Sequence, residues 1–218
     1  MARPDSFLVI GLGRFGRALA ETLVSLGHEV LGVDSDPRIV QDCAQGLTHV
    51  VQADATDAET LRQLGAADFG GAVVAIGNDV EASILATYAL VDIKVGRIWA
   101  KAITAAHGAI LQRVGAHRVV FPERDMGERV AHTMVGRTID YLELDEAFVL
   151  IETTVPKAMA GKTLLEAEVR RRHRVTVVCV KQPGGSFDYA TPETLLHPDD
   201  LIVVAGDRER AEAFAALE

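Results

Sequence analysis

The chain has 218 residues, of which 49% are hydrophobic, 24% charged and 5% aromatic. That apolar fraction excludes an intrinsically disordered chain, and the length suits one large domain or two smaller ones. Against 31 Asp+Glu stand 22 Lys+Arg, a net charge of −9. This is the wrong sign for a protein whose main partner is a phosphate backbone.

No apolar run reaches the ~20 residues that a bilayer span needs. The N-terminus runs directly into a strand-like segment without a signal-peptide core, so a cytoplasmic protein is expected. From residue 7 to about 135, short apolar runs alternate with longer amphipathic ones. The runs are Phe7–Ile10, Val30–Val33, His49–Ala53, Ala72–Gly77, Ile98–Ala102 and Arg118–Phe121. Several are almost continuously apolar, the pattern of strands buried on both faces of a parallel sheet. The stretch Arg14–Leu26 between the first two runs sets Phe15, Leu19, Leu23 and Leu26 at helical spacing, with Gly27 as a left-handed stop. Asp57–Leu64 opens on a capping candidate and ends before Gly65. Six strands with five intervening helices predict an α/β fold, a Rossmann-like doubly wound parallel sheet.

After a helix predicted over Arg124–Val135 the rhythm changes. Phe148–Val155, Val175–Lys181 and Leu201–Ala205 read as strands, Thr163–Arg172 and Arg208–Leu217 as helices, and Pro183–Ser186 as a turn. This is the pattern of a smaller α+β domain. The pattern change falls near residues 136–145, so the expected domains are 1–139 and 140–218. Cys43 and Cys179 are isolated thiols, expected as small buried hydrophobes.

The sequence Gly11-Leu-Gly13-Arg14-Phe15-Gly16 follows a strand and opens a helix, the context in which a glycine triplet has a physical meaning. Gly11 permits a sharp turn, Gly13 lets a diphosphate approach the backbone, and Gly16 lets helix pack on strand. The helix N-terminus then offers unpaired N–H groups to phosphates. Asp34, beside Ser35 at the end of the second strand, is placed to accept both ribose hydroxyls and to repel a 2′-phosphate. An adenine nucleotide is therefore expected, with NADP disfavoured. Other strand ends should line the same crevice: Asp54-Ala55-Thr56, Ile76-Gly77-Asn78-Asp79, Lys101 and Glu123. Asp54 and Asn78 equally suit N-caps of the following helices, and Lys101 a surface cation. Arg14 can reach a polyphosphate, including one held by a neighbouring subunit. Glu123 could offer oxygen to a hard divalent cation such as Mg²⁺.

The sequence resembles the RCK (regulator of potassium conductance) family, specifically its KtrA/TrkA-type cytosolic subunits. The residues that carry the likeness are Val9–Gly16, Gly27–Leu31 with Val33-Asp34, Asp54–Thr56, Val74–Gly77, Ile98–Ala102, and Gly115–Arg118 running into Pro122–Gly127. The resemblance implies a regulator rather than an enzyme: a homodimer assembling into an octameric ring beneath a membrane potassium channel or transporter subunit of the KtrB/TrkH type. It implies ATP, ADP or NAD(H) in the first domain, with Gly11, Gly13 and Gly16 in the phosphate loop and Asp34 on the ribose. Arg14 would reach a γ-phosphate across the dimer, Glu123 would sit near a bound cation, and the helix Asp125–Val135 would cross between protomers. The second domain resembles those that bind cyclic di-AMP. Leu164, Leu165 and Val169 would then sandwich adenine, Arg170 pair a phosphate, and Thr176 and Pro192 complete the site. Core packing for the apolar positions and a solvated face for Arg170–Arg174 are the ordinary alternatives.

Two other functions compete with this one. An NAD-dependent oxidoreductase would need an acid–base arrangement, for which only His107, His117, His132 and Tyr141 offer themselves individually. A nucleotide-sensing repressor would need a DNA-binding module, and no helix-turn-helix candidate stands outside the α/β pattern.

Overall fold

The structure, a computed structural model, describes residues 3–135 and 137–217. In the first half, β1 (Arg3–Ile10), β2 (Glu29–Asp34), β3 (His49–Gln52), β4 (Phe69–Val74), β5 (Ile98–Lys101) and β6 (Arg118–Val120) form one parallel sheet. Its order is β3-β2-β1-β4-β5-β6, so the direction of winding reverses between β1 and β4. In β1, Leu8 and Ile10 pack to one face with Val74, Leu90, Ile98 and Leu111, whereas Val9 packs to the other with Leu12, Ala20, Val30 and Cys43. Both faces are covered, which is why the strand reads as an unbroken apolar run.

The helices α1 (Arg14–Ser25) and α2 (Pro37–Cys43) supply the Val9 face; α3 (Ala58–Gln63), α4 (Val80–Asp92) and α5 (Ala105–Val114) supply the other. Four of these begin on a side-chain cap. Asp36 accepts from Arg38 N–H, Asp57 from Glu59 and Thr60, Asp79 from Ala82, and Thr104 from His107. The fifth, α1, begins on Gly13 with no side-chain cap. Its first-turn N–H groups keep no partner from that side chain. The expected Rossmann-like sheet with five intervening helices is the observed one.

The chain divides by packing into two compact units, residues 1–123 and 124–218. The helix α6 (Pro122–Met134) starts in the first unit and continues in the second. There Arg129 grips Asp140 through two parallel bonds of 2.8 and 2.5 Å. The expected division at 139/140 keeps this helix with the first domain; packing within the chain keeps all but its first two residues with the second. Along α6, Met126, Val130 and Met134 stand exposed at helical spacing and no residue is buried.

In the second unit, β7 (Thr138–Glu143), β8 (Phe148–Thr154), β9 (Thr176–Lys181), β10 (Asp188–Tyr189) and β11 (Leu201–Asp207) form an antiparallel sheet, ordered β10-β9-β11-β8-β7. Alternate residues Val149 and Ile151 of β8, and Ile202 and Val204 of β11, enter a core closed by Leu196, Tyr141 and Phe214 of α9 (Arg208–Ala215). The smaller α+β domain is thus present, with the short β10 unexpected and two larger differences from expectation. First, the stretch 136–145, read as the boundary, contains β7, which pairs with β8. Second, the helix expected over Thr163–Arg172 is two pieces, α7 (Leu164–Ala167) and α8 (Val169–His173), parted at Glu168 with φ +49°. The break has a reason: Ala167 and Val169 are both buried, and residues two apart lie on opposite sides of a continuous helix. The Glu168 carboxylate then holds Arg171 at 2.7 Å and Arg172 at 3.0 Å.

A capping box fixes the entry to α7. Glu166 N–H donates to Thr163 Oγ1 at 3.2 Å, and Thr163 N–H donates to Glu166 Oε2 at 2.8 Å. Replacing the cap, Thr163→Ala, should cost about 1 kcal/mol, by analogy with other Thr caps. In calorimetry this appears as a melting point lowered by about 2–4 °C. The Thr163 N–H holds the Glu166 carboxyl below its ordinary pKa. Its contribution is therefore whole at neutral pH and disappears as the pH falls through that lowered value.

Candidate nucleotide site

At the carboxyl ends of the six parallel strands the first unit has a crevice of about 780 Å³. It lies where the winding reverses, the position at which open α/β sheets bind ligands. Gly11, Gly13, Arg14, Phe15, Asp34, Ser35, Asp54, Ala55, Ile76, Gly77, Asn78, Lys101 and Glu123 all line it. Gly16, the remaining residue expected here, lies behind the loop: a Cβ on it would stand 1.9 Å from the Gly11 carbonyl oxygen. A Cβ on Gly13 would meet nothing within 4 Å, so that face of the loop is open.

Asp34 is fixed before any ligand arrives. Its Oδ2 accepts the N–H of Leu12, inside the glycine loop, at 2.7 Å, and its Oδ1 accepts the N–H of Asp36 at 2.9 Å. Each carboxylate oxygen retains a second lone pair for a hydroxyl donor. The carboxylate thus ties the loop after β1 to the loop after β2. Asp54 uses Oδ1 to hold Thr56 N–H at 2.9 Å and Thr56 Oγ1 at 2.7 Å, within its own turn. Capping of α3 and α4 falls to Asp57 and Asp79, not to Asp54 or Asn78.

Lys101 is not a surface cation: it is 7% exposed. Its Nζ donates to Glu123 Oε1 at 2.5 Å and lies 5.7 Å from the centre of the Phe15 ring. It reaches that place across Gly77, on which a Cβ would stand 2.9 Å from Nζ. The Lys101 ammonium holds the Glu123 carboxyl below the usual carboxylate range, with a smaller contribution from the Arg14 charge. Among the described residues no three His, Cys, Asp or Glu are grouped to hold a metal ion. Glu123 is the only carboxylate that the sequence assigned to a cation.

A second cavity, about 520 Å³, opens in the second unit. Leu164, Leu165, Val169, Arg170, Thr176 and Pro192 all line it, together with Glu168, Arg171, Ala190 and Thr191. Leu165 is 68% exposed and Val169 only 4%, so the latter is also a core residue. The break at Glu168 shapes this cavity, and nothing in the helical periodicity signalled it. In the first cavity, Ile39, Ala82 and Ile103 went unrecognised because isolated apolar residues carry no sequence signal; Asp36 had one, as the cap of α2.

His107, His117, His132 and Tyr141 do not line the crevice. His107 is buried, which pushes its pKa down. His117 Nδ1 accepts Ile98 N–H at 3.0 Å, and His132 stacks on Tyr141 with ring centres 3.8 Å apart. Cys43 is buried as expected, whereas Cys179 is only half-buried; both are free thiols.

The family model described as the TrkA-N domain matches residues 7–122, and that described as the TrkA-C domain matches residues 148–218. The chain belongs to the TrkA-N/TrkA-C family. Among its relatives, Ktr system potassium uptake protein C of Bacillus subtilis (strain 168) is 37% identical over 201 residues, 92% of this chain and 91% of that one. Ktr system potassium uptake protein A of Vibrio alginolyticus is 35% identical over 205 residues, 94% of this chain and 93% of the relative. The solved GsuK channel bound to NAD superposes with a TM-score of 0.69 at 22% identity, over 98% of this chain but 40% of that one. That likeness speaks for the fold, which this TrkA-type chain shares across both units.

Proposed function

We propose that this TrkA-type chain is a nucleotide-sensing regulatory subunit that gates a bacterial potassium uptake channel or transporter. The observation that carries the reading is one crevice in which the glycine loop, Asp34, Lys101 and Glu123 converge. Full-length relatives named as potassium uptake proteins support the transport role. The ligand is ATP, ADP or NAD(H): Asp34 holds the ribose, the open Gly13 face and uncapped α1 hold the phosphates, and Arg14 reaches a terminal phosphate. Mg²⁺ or another cation would join Glu123 through the ligand's own phosphate oxygens, because the described residues group no three His, Cys, Asp or Glu to hold it. The second cavity takes cyclic di-AMP, with Leu165 against adenine and Arg170 against phosphate.

Residues 1–139 act as the nucleotide domain and 140–218 as the second ligand domain. The helix over 125–135 is a crossover arm whose exposed Met126, Val130 and Met134 meet a second copy. Homodimers of this kind close into an octameric ring. No helix among the described residues is long and apolar enough to cross a membrane. The Ktr-type relatives support a chain that works in the cytoplasm, at the inner face of the membrane through a KtrB/TrkH-like partner. An oxidoreductase gains no support from the crevice, which His107, His117, His132 and Tyr141 do not line.

The test is calorimetry of ATP, ADP, NAD⁺, NADH and cyclic di-AMP on the purified protein, with solution mass measured for each. An adenine nucleotide should bind and the mass should exceed a monomer's. Arg170→Ala should abolish the cyclic di-AMP heat and leave the ATP heat in place. No binding by any of the five would sink the reading.

A further inference from the structure

Resting on that nucleotide reading, we propose that the Lys101–Glu123 ion pair is a latch that a nucleotide's terminal phosphate opens by taking Lys101 for itself. The pair is unequal. The Lys101 side chain is 9% exposed and that of Glu123 63%. A buried ammonium cannot be left without an anion, whereas an exposed carboxylate can return to water at small cost. The partner that can be exchanged is therefore Glu123. The Lys101 chain passes directly over Gly77, where an added Cβ would stand 2.9 Å from Nζ. Its Nζ stays beside Phe15, next to Arg14 at the uncapped start of α1, where phosphates are drawn. An incoming terminal phosphate thus meets a buried cation whose present counter-ion is exposed to water.

Glu123 is the second residue of α6, 22 residues along the chain from Lys101. When phosphate replaces it, the start of α6 loses its tie to β5. A ligand that places a neutral group at that end of the crevice leaves the tie closed. The latch accordingly separates nucleoside triphosphates from dinucleotides, and it assigns Glu123 a competing role toward the phosphate rather than a purely supportive one. Differential affinity of this kind is what lets a ligand shift a conformational equilibrium.

The experiment is a double-substitution cycle read by calorimetry in EDTA, with ATP and NADH as ligands. Glu123→Gln should raise ATP affinity about three- to tenfold, a change of order 1 kcal/mol, and should raise NADH affinity by less than half that factor. In the Lys101→Met background the same substitution should give less than a twofold gain, since no cation remains to be released. An equal gain in both backgrounds would mean simple repulsion between Glu123 and phosphate and would overturn the latch. A loss of ATP affinity on Glu123→Gln, or equal gains for the two ligands, would overturn it too. If wild type binds ATP and NADH but the cycle is additive, only the latch fails; if it binds neither, the nucleotide reading fails with it.

Discussion

Asp34→Ala should lower affinity for adenine nucleotides about 100-fold, from the loss of charge-assisted bonds worth roughly 1.5–3 kcal/mol each. The carboxylate is suited to this because it does not have to be ordered on binding: Leu12 and Asp36 N–H groups already fix both oxygens. The same bonds give the substitution a second effect. Leu12 is 2% exposed, so removing its acceptor strands an N–H group away from water, at a cost of about 1–3 kcal/mol. Thermal melts with and without 1 mM ATP separate the two. The ligand-free melting point should fall, and the upward shift produced by ATP in the wild type should vanish. A variant that melts lower but keeps the full ATP shift would show Asp34 to be a strut for the glycine loop and nothing more.

Gly16→Ala should be the most damaging substitution in the first unit. The added Cβ would lie 1.9 Å from the Gly11 carbonyl oxygen, and that oxygen belongs to backbone held by the Gly11 N–H bond to Val33. Neither side can yield like a flexible side chain, so α1 must lift from β1. Overpacking typically costs 1–3 kcal/mol and more against rigid neighbours, so a loss of about 3 kcal/mol or outright failure to fold is expected. Gly13→Ala serves as the control, because its Cβ would meet no protein atom within 4 Å. That variant should melt near wild type and yet bind nucleotide poorly, since the methyl occupies the diphosphate's approach. Urea unfolding for the pair, with calorimetry on Gly13→Ala, checks both. A stable Gly16→Ala would show that the helix start is more compliant than its geometry implies.

The parallel sheet was readable in the sequence because its strands are buried on both faces: Leu8, Val9 and Ile10 have no solvent side to interrupt the apolar run. The strand β7 was not, because Ile139 is 45% exposed and Leu142 50%, and only Tyr141 enters the core. Nor could periodicity reveal a helix broken at a left-handed glutamate, since Glu168 is a residue type that favours helices and the break serves two neighbours. In the crevice, the residues legible in advance were those with local meaning: the glycine loop, the strand-end Asp34 with Ser35, and the other strand ends Asp54-Ala55, Ile76–Asn78, Lys101 and Glu123. What joins them is non-local. The bond from Leu12 to Asp34 and the pair between Lys101 and Glu123 each span 22 positions, and no spacing rule connects them.

The crevice wall carries Asp34, Asp36, Asp54, Asp79 and Glu123 against Arg14 and Lys101. With the chain's overall −9, the field seen by an approaching polyanion is repulsive at long range. Capture must then rest on donors that act only within a few ångströms, above all the peptide N–H groups around Gly13. Mobile ions, which slow most charge-guided encounters, should hasten this one by masking the acidic rim. On the proposed nucleotide reading, such a site would stay empty at trace phosphate and fill only at high nucleotide concentration.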